Sequence, residues 1–349
     1  MYDVILAAIT AFALTYLSIP SIIYIALKKN LVDTPNERSS HSSGTPSLGG
    51  IAIFAGTVFS ISFWVPFQYF DNLQYILAAF IIIFLIGAKD DVISISPRSK
   101  FLGELFVTSI LVLKANVKLT SLYGLMGIYV LPEYVSIIFS IFTILVIING
   151  FNLIDGINGL SSSLGLLITF VFGIWYFLIG SIEFSVMAFA LFGSLLAFLK
   201  FNITPAKIFM GDTGSLFVGL ICAILAIHFI EIQSQIPESP YTFSSAPSIA
   251  IGILILPLFD TLRVFILRLM NGKSPFHPDR RHIHHALIDA GLSHMQATGL
   301  LIAISIVFII LSFMLQKIGN FNLLVIIILL ATVLSIIAGK FAKRKLSKV

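Results

Sequence analysis

Two carboxylates stand side by side at Asp90 and Asp91, where the apolar run "FIIIFLIGAKDD" ends. Adjacent like charges repel, and a carboxylate at the edge of hydrocarbon is costly unless a cation pairs with it. Such a pair suits a hard cation, with one carboxylate binding and the other acting as base or nucleophile. Mg2+ is commonly held by one or two carboxylates while substrate phosphates complete its shell. Lys89, Arg98 and Lys100 stand nearby in the chain.

A second set of polar residues is periodic. Asn149, Asn152, Asp155 and Asn158 recur every three residues, with Gly150 and Gly156 between them and Gly159 next after. On a helix such steps keep side chains near one face, drifting by about 60° each time. Asn and Asp offer oxygens to a metal and hydrogen bonds to a base or sugar. Further on, Asp212 sits in "GDTGS", just ahead of an apolar run. That reads as a tight turn feeding a helix N-terminus, where N–H groups and the helix dipole favour phosphate and Asp212 would meet a metal.

Two basic stretches complement these acids. Arg38 and His41 lie in "VDTPNERSSHSSGTPSLGG". Its hydroxyls, backbone N–H groups and arginine are the ingredients of an anion site, although a solvated linker has the same composition. "NGKSPFHPDRRHIHHAL" carries His277, His282, His284 and His285 with Asp279, Arg280 and Arg281. A histidine cluster raises zinc, but zinc sites recruit cysteine or carboxylate ligands, and here arginines crowd the imidazoles. Arginine with imidazole better suits a diphosphate or a sugar.

The elements that must position these groups follow from composition. Of 349 residues, 58% are hydrophobic and 11% charged, against about 25% charged in soluble domains. The expectation is an all-α polytopic membrane protein, residues 1–349 forming one integral membrane domain. Cys222 is the single cysteine, so there is no disulfide framework, and it reads as a small buried hydrophobe. The first apolar segment, residues 4–27, is too long for a signal-peptide core and lacks a basic start, so it should stay as a span.

A bilayer crossing takes about 20 apolar residues. That rule gives about eleven spans, near 3–27, 48–68, 72–88, 101–119, 129–149, 160–179, 182–200, 215–233, 246–269, 296–316 and 321–341. With the N-terminus outside and the C-terminus inside, all of the 21 Lys and Arg except Lys114, Lys118 and Lys317 fall on the inner side. The net charge of +5 therefore follows the membrane and calls for no nucleic acid. The candidate residues all fall in inner loops, near 28–48, 88–101, 149–160, 200–215 and 270–296. Residues 119–134, with Pro132, suggest a small outer hairpin. Asp260 and Arg263, three apart inside the ninth span, are spaced for a mutual salt bridge. One-sided polar loops, with no inverted repeat or matching midplane breaks, disfavour a secondary transporter.

In kind and order, "PNERSSHSSGTPSLGG", "GAKDD", "NGFNLIDGINGL", "FMGDTGSLFVG" and "HPDRRHIHHAL" resemble the motifs of the polyprenyl-phosphate N-acetylhexosamine-1-phosphate transferases, over most of residues 33–287. The last motif looks more like the UDP-N-acetylglucosamine branch (glycosyltransferase family 4) than the muramoyl-pentapeptide branch. In the latter three histidines run consecutively, whereas Ile283 interrupts them here. The resemblance implies transfer of N-acetylglucosamine 1-phosphate from UDP-GlcNAc to undecaprenyl phosphate, releasing UMP. The product would be the first lipid-linked intermediate of a cell-surface glycan such as lipopolysaccharide or teichoic acid. It would form at the cytoplasmic face of a bacterial inner membrane.

Carried onto matching positions, the resemblance implies Asp212 and Asn152 as contacts of Mg2+, with Mn2+ as the alternative. Asp90 and Asp91 would be the catalytic pair, joined by Asp155 in support of the nucleotide or metal region. Asp279, Arg280, His282, His284 and His285 would hold the sugar-phosphate end, Arg38 and His41 phosphate, and Asn149 and Asn158 would contact substrate. The sequence leaves open whether the lipid phosphate attacks directly or an Asp forms a covalent adduct. It equally leaves open monomer or homodimer.

Overall fold

The computed structural model of the chain describes residues 2–32, 44–66, 68, 70–272 and 282–346. Arg38, His41, Asp279 and Arg280 lie outside the described residues. In lipid an unpaired backbone group finds no water, so an apolar run must satisfy its own N–H and C=O groups, and helices do this within one segment. The long runs accordingly fold as α1 (Tyr2–Lys28), α2 (Gly49–Trp64), α3 (Phe70–Val92), α4 (Pro97–Leu113), α5 (Glu133–Ile154), α6 (Leu160–Leu178), α7 (Ile182–Asn202) and α8 (Gly211–Ile232). They continue as α9 (Ala246–Ile253), α10 (Ile255–Met270), the short α11 (Ile283–Asp289), α12 (His294–Met314) and α13 (Asn320–Leu346). Between α4 and α5 the expected hairpin is present, β1 (Ser121–Leu125) pairing antiparallel with β2 (Ile128–Val130).

The chain is thus an all-α polytopic membrane protein, and each expected apolar run carries a helix. Among the described residues seven helices (α1, α5, α6, α7, α8, α12 and α13) are long and apolar enough to cross a membrane, or eight spans if α9 and α10 count as one. The estimate of eleven included three others. α2 and α4 have 16 and 17 residues, about 24–26 Å at 1.5 Å per residue, short of a hydrocarbon core of about 30 Å. α3 carries Lys89, Asp90 and Asp91 in its last turn.

The ninth run differs most from expectation. It breaks at Leu254, and α10 turns from α9 by 81°. Pro257, in the first turn of α10, has no N–H to return to the Ile253 carbonyl, which frees the backbone to bend there.

α8 is apolar on all sides and buried along its length, the pattern of a central helix. It packs against α2, α3, α5, α6, α7 and α9. Phe217 meets Phe54 and Phe80 edge-on, with centroids 5.2 and 5.1 Å away. Cys222 on the same helix is fully buried. Because lipid tails are as apolar as leucine, close packing and interhelical hydrogen bonds hold such helices together. α1, α2 and α7 are joined in this way: Ser60 Oγ donates to the Ala7 carbonyl at 2.6 Å, and Thr57 Oγ1 to Ser194 Oγ at 2.9 Å. The α2 start is pinned to the turn ahead of α8, Gly49 and Gly50 N–H donating to the Phe209 and Met210 carbonyls, each at 2.9 Å. That fixes where Asp212 stands.

Candidate active site

The two adjacent acids have different surroundings. Asp91 accepts the Asp212 N–H at 2.7 Å, the Thr213 N–H at 2.9 Å and the Thr213 hydroxyl at 2.5 Å. These are first-turn groups of α8, which have no intrahelical partner and lie at the positive end of the dipole. Asp91 therefore caps α8 from another helix. α3 can come this close because position 87 is glycine: a Cβ there would lie 2.5 Å from Thr213 Cα. Burial pushes the Asp91 carboxyl up to about 6 against the pull of the Thr213 and Asp212 donors, and the Asp212 charge adds to the rise.

Asp90 faces α4 instead. It accepts the Ile95 N–H at 2.9 Å and pairs with Lys100 Nζ at 3.1 Å. The same ammonium also donates to the Asp212 carboxylate, so Lys100 bridges two acids far apart in sequence. α4 starts where the sequence says it should: Ser96 accepts the Ser99 N–H at 3.2 Å as N-cap, and Pro97 takes the first helical position. Lys100 follows in the first turn. Asn152, near the end of α5, donates its amide to Asp212 at 2.6 Å and to Ser215 Oγ at 3.0 Å. Asp90, Asp91, Asn152 and Asp212 thus converge as expected. Lys100, which no motif had singled out, lies among them.

The three-residue rhythm of loop three does not run on. α5 ends at Ile154, so Asp155 and Asn158 leave the face that carries Asn149 and Asn152. Asp155 is half-buried, and its carboxyl has no hydrogen-bond partner among the described residues. Burial, then the charges of Asp212 and Asp91, push it up to about 8. Asn158 turns into the protein: its side-chain amide donates to Thr204 Oγ1 at 2.8 Å, its backbone carbonyl accepts the Thr298 hydroxyl at 2.9 Å, and its buried Oδ1 has no partner among the described residues. Those bonds seat it against the segment ahead of α8 and against α12.

The histidine segment reaches the same end of the bundle. A Cβ on Gly156 would lie 2.3 Å from His284 Nε2, so only a glycine beside Asp155 lets this imidazole seat there. The His284 and His285 ring centroids are 4.2 Å apart. His282 is buried with Nδ1 2.8 Å from Asp260 Oδ2. Asp260 also accepts the Ile283 N–H at 3.0 Å and, as its spacing suggested, pairs with Arg263 at 3.4 Å. The buried carboxylate in α10 therefore fastens the start of α11 as well as its own helix neighbour.

Among the described residues no three His, Cys, Asp or Glu side chains form a finished metal cage. The chemistry of the donor set fits a hard divalent cation all the same. Asp90, Asp155, Asp212 and Asn152 present oxygens, and a positive charge, the Lys100 ammonium, already lies between Asp90 and Asp212.

Fold and site together define a polytopic, all-helical membrane protein with an acid-and-lysine centre at one end of its bundle. The chain belongs to glycosyl transferase family 4, whose profile matches residues 73–230. Over 345 residues it is 31% identical to a protein of Bacillus subtilis (strain 168) named "Probable undecaprenyl-phosphate N-acetylglucosaminyl 1-phosphate transferase", covering 97% of this chain and 92% of that one. An undecaprenyl-phosphate alpha-N-acetylglucosaminyl 1-phosphate transferase of Escherichia coli O157:H7 is 31% identical, covering 78% and 73%. A decaprenyl-phosphate N-acetylglucosaminephosphotransferase of Mycolicibacterium smegmatis (strain ATCC 700084 / mc(2)155) is 30% identical, covering 84% and 78%.

Proposed function

We propose that this protein transfers N-acetylglucosamine 1-phosphate from UDP-GlcNAc to undecaprenyl phosphate and releases UMP. The observation that carries this reading is the Lys100 ammonium shared by Asp90 and Asp212, with Asn152 on Asp212 and Asp91 capping the α8 turn that bears it. The names of the relatives support the donor and the acceptor. The distribution of Lys and Arg supports a cytoplasmic site in a bacterial inner membrane.

Asp212 and Asn152 would hold Mg2+, or Mn2+, with Asp155 beside them. When bound, the cation neutralises the diphosphate and the oxygen on which UMP leaves. The chain's own groups do the rest. Lys100 sets a fixed positive charge against the phosphates, and Asp90 holds that lysine in place. Asp91 keeps the α8 turn, and with it Asp212, in register. The acceptor monophosphate has a second pKa of about 6 and is mostly dianionic at neutral pH. Its oxygen attacks the sugar-bearing phosphorus of the donor, the bond from that phosphorus to the UMP oxygen breaks, and no strong base is required. The histidine segment, oriented by Asp260, would meet the sugar-phosphate end.

The direct test is mass spectrometry of the lipid extract after incubation of purified protein with UDP-GlcNAc, undecaprenyl phosphate and Mg2+. The expected product is undecaprenyl diphosphate carrying one N-acetylhexosamine. Unchanged undecaprenyl phosphate would overturn the assignment. Radiolabel retained on the protein when acceptor is withheld would replace direct attack by a covalent route.

A further inference from the structure

Glu104 lies on α4 one helical turn beyond Lys100 and is 1% exposed. A carboxyl buried this completely needs a partner in the protein interior. Its Oε2 accepts the Asn149 amide at 2.6 Å, and its Oε1 is buried with no hydrogen-bond partner among the described residues. Asn149 is on α5, three residues before Asn152, whose own amide binds Asp212. The Asn149 nitrogen has a second acceptor, the Leu145 carbonyl at 3.0 Å.

Both N–H groups of Asn149 are thereby engaged by acceptors. Turning the amide over would set its oxygen against a carboxylate and a carbonyl, which no donor would relieve. Asn149 Oδ1 is then the group left for a ligand, and it has no partner among the described residues. An asparagine alone could donate or accept. Held by Glu104, it can only accept.

We propose that Glu104 is a positioning residue that fixes Asn149 as an obligate hydrogen-bond acceptor for an N–H or O–H donor of the sugar nucleotide. The inference rests on the proposed donor being a UDP-sugar. Glu104 touches no reacting atom; it acts through the amide it orients. Glutamine in its place keeps shape and size but can itself donate, so the Asn149 amide is free to turn.

The test compares wild type with Glu104→Gln, Asn149→Ala and the double variant. KM and kcat for UDP-GlcNAc and KM for undecaprenyl phosphate are measured, together with the calorimetric Kd for UDP-GlcNAc without acceptor. Glu104→Gln is expected to raise KM and Kd for UDP-GlcNAc about tenfold, the scale of one lost hydrogen bond, while kcat falls far less and the acceptor KM holds. Asn149→Ala should show the same rise, and the double variant no further rise, because one interaction is removed in each case. An unchanged Kd in Glu104→Gln, equal rises for both substrates, or additive effects would overturn the proposal. Wild type that binds UDP-GlcNAc but forms no product would contradict the transfer reading alone, since the Kd comparison still decides the role of Glu104.

Discussion

The Asp91 carboxylate accepts both the N–H and the hydroxyl of Thr213, at 2.9 and 2.5 Å, so the second of two adjacent acids serves as the cap of another helix. Asp90, one residue earlier, is turned to Lys100 and accepts the Ile95 N–H of the turn that follows its own helix. Substitution should separate the two roles. Asp91→Ala should lower the thermal midpoint of the detergent-solubilised protein as well as its turnover, by the 0.5–2 kcal/mol of about one lost helix cap. Asp90→Asn should remove most turnover and leave the midpoint nearly unchanged. Equal midpoints in the two variants would contradict the division.

Lys100 is the cation on which Asp90 and Asp212 agree. Lys100→Ala should cut kcat about a hundredfold, the scale on which one fixed electrostatic group acts in a water-poor site. Lys100→Arg should recover part of that loss, since a guanidinium keeps the charge but not the compact point geometry. A Lys100→Ala enzyme with wild-type kcat would mean that the bridge is structural only.

Asp260 holds the His282 imidazole and the Ile283 N–H. Asp260→Asn should raise KM for UDP-GlcNAc by about tenfold, the scale of a lost charge-assisted hydrogen bond. His282→Ala should do the same, with the double variant close to either single one. Additive effects would show that the carboxylate acts through the Ile283 N–H or Arg263 rather than through His282.

Much of this architecture is legible in the sequence, for physical reasons. Lipid forces each apolar run into a helix, so the runs could be placed from hydropathy alone. Asp260 and Arg263 pair as their spacing permits. The break at Leu254 was less visible: Pro257 marks it, but a proline within a long apolar run can kink a span or pass with little effect. The different surroundings of Asp90 and Asp91 could not be read, because two identical neighbours differ only in which packed helix each one faces. Lys100 was in plain view beside the acid pair, yet its second partner, Asp212, is 112 residues away and no spacing rule connects them. Asn158 left the face that its rhythm suggested, because the three-residue step outlasted the helix that gave it meaning.

The titration of the acids gives a further prediction. Burial pushes Asp155 up to about 8 and Asp91 up to about 6, each with an added push from neighbouring carboxylates. A divalent cation favours the ionised forms, so its binding must displace protons. The apparent affinity for Mg2+ should therefore rise as pH goes from about 6 to about 8, with proton release measurable in buffers of different ionisation enthalpy. Affinity independent of pH over that range would mean that neither acid senses the metal.

The most direct measurement is UMP release by purified protein supplied with undecaprenyl phosphate and Mg2+, offered UDP-GlcNAc and UDP-muramoyl-pentapeptide in separate reactions, with Asp212→Asn run alongside. The account predicts UMP from UDP-GlcNAc alone, and almost none from the variant although it still folds and inserts. UMP from the pentapeptide donor only, from neither donor, or from Asp212→Asn at the wild-type rate would contradict it.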